Sequence, residues 1–133
     1  MNEEVAAPRP TNQLARSGQL EWQPLGEPGV NGVQVKVLRF DHATGRAPTI
    51  LLRFEPGATY PPHNHPGGEE IFVLEGEVQL GKDHLRAGDY LYTAPANKHG
   101  VRSEAGCVLL VVVPQAVEIL TRTDKTQAIH EGA

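Results

Sequence analysis

Glycine and proline interrupt this chain so often that no helix of useful length is expected in it. The 133 residues include 14 Gly and 11 Pro, and from Pro24 to Pro114 they leave only short stretches between breaks. Proline lacks a backbone donor and clashes with the preceding helical turn, whereas glycine enters turn conformations without steric cost. The stretches in between read as β. Val33, Val35 and Val37 alternate with Gln34, Lys36 and Leu38, a period of two. Thr49 to Phe54, Glu70 to Leu74, Glu77 to Leu80, His84 to Arg86, Tyr90 to Thr93 and Cys107 to Pro114 read as further strands. Glu55-Pro56-Gly57, Pro66-Gly67-Gly68, Glu75-Gly76 and Ala87-Gly88-Asp89 read as turns. Thr59 to His65 is expected to be extended, with Pro61-Pro62 blunting its ladder pairing. Val117 to Leu120 reads as a last strand or one helical turn. About ten short strands make an all-β sandwich or barrel.

The length suits one domain. Residues 1–18 read as an irregular N-terminal arm, 19–121 as the barrel and 122–133 as a polar tail. Trp22 is expected to pack from an edge strand between Leu20 and Asn31. The formal net charge is −4, which disfavours nucleic acid as a partner because phosphate binding needs a basic surface. One cysteine, Cys107, allows neither an intrachain disulfide nor a zinc–thiolate cluster. Met1 to Pro10 lacks the apolar core of a signal peptide, and Val108 to Val113 is too short to cross a bilayer. A cytoplasmic protein without membrane contact is the expectation.

His63 and His65 lie two apart on an extended segment, so both side chains point to one face. Neighbouring imidazoles on one face make sense when a cation sits between them. The turn Pro66-Gly67-Gly68 then brings Glu69 or Glu70 back beside them. These two glutamates face opposite ways on a regular strand, so only one can join the histidines. His99, in the loop after Pro95-Ala96-Asn97-Lys98, is a fourth candidate. His42, His84 and His130 sit in turns or the tail and read as ordinary surface residues.

The run from Gly57 through His63-Asn64-His65 to Glu69 and Gly76 resembles the first motif of the cupins. That motif is Gly, five residues, His-x-His, three or four residues, Glu, six residues, Gly, and its intervals select Glu69 over Glu70. Gly88 and His99 keep the outer spacing of the second cupin motif. Inside it Pro95 sits one place late, Asn97 stands where Gly is frequent, and Ser103 stands where the motif ends in Asn. The run His65-Pro66-Gly67-Gly68-Glu69-Glu70-Ile71-Phe72-Val73-Leu74-Glu75-Gly76-Glu77, with His99 leading into Ser103-Glu104-Ala105-Gly106-Cys107, is similar to the cupin domain of ChrR-type anti-sigma factors over residues 20–115. The resemblance implies a small double-sheet β-barrel, or jelly roll, and a metal held by His63, His65, Glu69 and His99. It does not extend to the separate zinc-dependent anti-sigma module, for which the chain lacks the cysteines, so sigma-factor inhibition is not implied.

Three imidazoles and one carboxylate suit one divalent transition metal such as Fe, Mn, Ni or Zn. The ligand set carries one negative charge against two positive, which favours a small anionic organic ligand. Leu52, Phe54, Phe72 and Val111 are expected to face inward and form the rest of the pocket. A binding or sensing module is one reading; a mononuclear Fe(II)-type dioxygenase is the alternative. Glu70 and Tyr60 are candidate bases, though each reads better as an exposed turn residue, and Cys107 reads as a buried structural thiol. Because cupins commonly pair, a homodimer formed through edge strands is expected.

Overall fold

The computed structural model describes residues 11–41, 43, 46–114, 117–119 and 129–131. His42, most of the N-terminal arm and most of the tail lie outside the described residues. Among the described residues ten strands follow one 3-10 turn at Ser17–Gln19: β1 (Gln23–Pro24), β2 (Asn31–Asp41), β3 (Arg46–Asn64), β4 (Glu69–Leu80), β5 (Asp83–Arg86), β6 (Tyr90–Thr93), β7 (His99–Arg102), β8 (Cys107–Val112), β9 (Val117–Ile119) and β10 (Ile129–Glu131). All pairings are antiparallel. The fold is all-β, as the density of chain breaks predicts.

Closure comes from two long strands that each serve both sides of the barrel. The first part of β3 pairs with β8, from Thr49↔Val112 to Phe54↔Cys107, and its second part pairs with β7, from Thr59↔Arg102 to His63↔His99. Similarly, β4 pairs with β6 and β8 near its start and with β5 and β7 near its end. The circuit β3–β7–β4–β8–β3 is therefore complete. Two segments expected to be turns, Glu55-Pro56-Gly57 and Glu75-Gly76, are instead the corners where these strands change partners. Gly57 and Gly76 adopt φ of 85° and 78°, the left-handed geometry of a turn, but the chain bends there without reversing. At Gly76 no side chain could replace the hydrogen: a Cβ would lie 2.1 Å from the Gly106 carbonyl oxygen.

The β4 corner also resets which face is inside. Along β4, Ile71 and Val73 are buried, but after the irregularity between Val73 and Glu75 the buried positions become Val78 and Leu80. A bulge adds one residue and so exchanges the faces. The core joins these residues to Ile50, Phe54, Leu109 and Val111 of β3 and β8. Outside it, the half-buried Trp22 lies beneath two cations, Lys36 Nζ at 4.7 Å and Arg53 Cζ at 4.6 Å from its ring centre. Lys36 also donates to the Ser17 carbonyl at 2.6 Å, tying the arm to β2. In the expected polar tail, Ile129–Glu131 pairs with β9.

Candidate metal centre

The Pro61-Pro62 step decides where the histidines point. On β3 the core positions are even-numbered through Ile50, Phe54, Ala58 and Tyr60, but His63 and His65 are buried on odd numbers. The β3–β7 register slips between Tyr60 and His63, where the two prolines offer no N–H to the ladder. Without that slip, the same strand would turn Pro62 and Asn64 inward. His65 lies just past β3, Glu69 opens β4 after the tight turn, and His99 opens β7 opposite His63.

Four ligand atoms, one each from His63, His65, Glu69 and His99, lie within 4.8 Å of one another. The ring centres are separated by 4.3 Å for His63–His65 and by 5.2 Å for the other two histidine pairs. Nε2 of His65 is 3.4 Å from Nε2 of His99 and 3.3 Å from Glu69 Oε1, and His99 Nε2 is 3.7 Å from that same oxygen. Glu69 Oε1 is buried and lacks a hydrogen-bond partner, as does the other ring nitrogen of His65, Nδ1. A buried carboxylate oxygen facing two imidazole nitrogens fits a shared cation better than any arrangement of the side chains alone. His63 Nδ1 lies 2.9 Å from the Pro61 carbonyl oxygen, a contact that sets its tautomer and leaves Nε2 as the free donor.

The electrostatics agree. Burial lowers the His63 pKa to about 4, against a smaller raising effect of its bond to Pro61. Burial, then the charges of His63 and His99, lower that of His65 to about 3. Both imidazoles are therefore neutral near pH 7, the form that donates to a metal. Burial raises the Glu69 carboxyl above its ordinary value, opposed by His99. A divalent cation would remove that penalty by stabilising the carboxylate directly. The donor set, three neutral imidazoles and one carboxylate, fits a transition metal of the first row.

The remaining candidates divide. Leu52, Phe54 and Val111 line an interior cavity of about 30 Å³ beside His63 and Glu69. Phe72 does not: it is 38% exposed, and Ile71 holds the inward place. The reason is parity, since Glu69 faces in and a regular strand then carries Ile71 inward and Phe72 out. The choice of Glu69 over Glu70 contained that information. Tyr60 is also not an exposed turn residue. It is buried on the cavity wall, its ring centre 4.8 Å from that of His63, and its hydroxyl donates to Glu27. Glu70 is exposed and accepts a 2.8 Å bond from the Tyr90 hydroxyl. Cys107 is buried, and burial raises its thiol to about 11, so it is an unreactive packed group. Ser103, standing where the motif ends in Asn, is fully buried and donates to the Glu77 carbonyl at 2.6 Å, bracing β4.

Residues 10–117 match the family model of the ChrR cupin-like domain. The chain belongs to that family. Among curated relatives, germin-like protein subfamily 1 member 5 of Arabidopsis thaliana is 37% identical over 67 residues, which is 50% of this chain and 24% of that protein. The chain thus spans about a quarter of the length of that relative. Among solved structures, a candidate acetylacetone dioxygenase from Methylibium petroleiphilum superposes with a TM-score of 0.81 at 17% identity, covering 96% of this chain and 94% of the other. The anti-sigma ChrR, solved in complex with SigE of Rhodobacter sphaeroides, superposes with a TM-score of 0.61 at 28% identity, over 74% of this chain and 50% of that one. A cupin can serve in an enzyme or in a regulator, so the fold does not choose between them.

Proposed function

We propose that this chain is a metal-binding cupin module in which His63, His65, Glu69 and His99 hold one divalent transition metal, Fe, Mn, Ni or Zn, and in which that metal binds or senses a small anionic organic ligand. The observation that carries this reading is the convergence of four donors, three buried and His99 half-buried, on one point, with the Glu69 oxygen unpaired among them. Four protein donors satisfy a tetrahedral metal and leave two positions open on an octahedral one. The test is metal analysis of the purified protein alongside His63→Ala and His99→Ala. The wild type should carry close to one metal per chain and each variant a small fraction of that. Unchanged content in both variants would sink the reading.

The second reading is a mononuclear dioxygenase. It is supported by the fold shared with the candidate acetylacetone dioxygenase and by the two positions an octahedral metal would leave open. Oxygen uptake by the Fe(II)-loaded chain over diketones, phenols and thiols separates the two. Uptake with none of them favours the binding module.

We also propose that two copies pair, through a sheet face rather than through edges. The outward side chains of β4 and β6 include Phe72, Leu74, Tyr90 and Tyr92, all exposed, and Leu110 of β8 lies beside Phe72. Lys36 and Arg53 lie toward one side of this face and Glu70 toward the other. A twofold axis through the middle would set each basic side against the partner's acidic side. Among the described residues no helix is long and apolar enough to cross a membrane. A cytoplasmic setting is the one this reading expects for a chain with a single, buried thiol.

A further inference from the structure

The ligand set separates two very unequal spaces. On one side is the interior cavity, about 30 Å³, with room for one or two water-sized molecules and walls of Ile50, Phe54, Leu109 and Val111. On the other is a cleft of about 640 Å³, within the range of small-molecule sites. It runs between the β4–β5 turn at Gly81-Lys82-Asp83 and the loop Ala94 to Lys98, with β6 along one side. His63 and Glu69 face the cavity, and His99 faces the cleft.

Thr93 lines this cleft beside His99. It is the cross-strand partner of Glu69 and is only 6% exposed, yet its hydroxyl oxygen has no hydrogen-bond partner. A buried hydroxyl left unpaired is costly, and a ligand that bonds to it recovers that cost. Lys82 and Lys98 stand at the rim with Asp83 as the one acid among the lining residues, and Asn97 and Tyr92 add neutral polar groups. Ala96, in the same loop, holds φ at 72°, a left-handed geometry that a non-glycine residue adopts only when its surroundings impose it. A backbone bond from the Asn97 N–H to the Ala94 carbonyl at 3.2 Å closes the same turn.

We propose that small carboxylates bind in this cleft, with Thr93 donating to the carboxylate and Lys82 and Lys98 drawing it in, and that they approach the metal from the His99 side and not through the apolar interior. The proposal rests on the metal-site reading for its purpose, but the cleft itself is made of protein groups alone.

The test is an amide NMR titration of the full chain with pyruvate, in zinc-loaded and metal-free forms, with neutral pyruvamide as the control. Saturable shifts confined to residues 80–83 and 91–99, stronger for pyruvate, are expected. Thr93→Val should weaken pyruvate about fivefold, the worth of one hydrogen bond of ~1 kcal/mol. The Lys82→Gln, Lys98→Gln pair should weaken it by a similar factor and abolish the preference over pyruvamide. Shifts along residues 50–54 and 109–113, no saturable shift, or equal binding by both variants would overturn the proposal. Cleft binding without zinc uptake would support it while sinking the metal reading. Zinc uptake without cleft binding would do the reverse.

Discussion

His63 and His65 are buried on the inner face of the barrel, and their burial sets how the metal-free chain responds to pH. His63 and His65 have folded pKa values of about 4 and 3 against 6.5 for the free side chain. Below pH 6.5 the unfolded chain takes up protons that the folded chain refuses. The metal-free fold should therefore lose stability as pH falls from 6.5 toward 4 and 3. Glu69 acts with the opposite sign, since its raised pKa means the fold loses stability as pH rises through the interval above 4.5. Thermal melts of the metal-free chain should show the acid-side loss, and His65→Gln should flatten it; an equally steep loss in the variant would assign it elsewhere. Cavity-wall residues offer a second check. Ile71→Ala should cost about 2–5 kcal/mol, as core truncations do, whereas Phe72→Ala should cost much less in the monomer. Urea titrations of the two variants give the comparison directly.

At the scale of the element, the two bent strands carry most of the design. The corner at Gly76 lets β4 leave β8 and reach β5 and β7. Gly76→Ala would drive a methyl into the Gly106 carbonyl and should destabilise the barrel by about 3 kcal/mol or more. A denaturation midpoint equal to wild type would show that the corner relaxes freely. Glu77 secures the same corner. It accepts from the Ala105 N–H at 2.9 Å, from His84 at 2.8 Å and from Ser103 at 3.1 Å, which together hold its pKa down. The strand pattern was readable because alternation and chain breaks are local. Whether Glu55-Pro56-Gly57 and Glu75-Gly76 reverse the chain or bend it was not, because both outcomes use the same backbone angles. The partner strands decide, and they come from residues 83–112.

For the whole molecule, metal binding and folding should be linked. The four donors come from the β3–β4 junction and from β7, so an ion held by all of them ties together segments up to 36 residues apart. Metal present at about a thousand times its dissociation constant stabilises the fold by ~4 kcal/mol. Chelation should accordingly lower the melting temperature by about 10 °C or more; an unchanged melt would mean the fold closes without it. The outer face of β4 and β6 belongs to this scale too. Phe72→Glu should leave the chain folded and shift a dimer to monomer by analytical ultracentrifugation, because Phe72, between Tyr90 and Leu110, would bury a charge in the middle of the paired faces. A wild-type monomer at all concentrations would remove the pairing.

The amino-acid order by itself determined that this protein is β throughout, that His63 and His65 share a face, and, through the cupin spacing, that Glu69 and His99 are the groups to join them. These follow from local rules: period-two alternation, proline geometry and the spacing between motif residues. Only the tertiary structure decided that the shared face is the inner one, since that depends on a register slip at Pro61-Pro62 that exists only against β7. It also decided that the larger open space lies beside Thr93 and His99, while the apolar interior keeps only about 30 Å³. Cavity size depends on how side chains from distant strands close against one another, and no local pattern in the sequence carries that information.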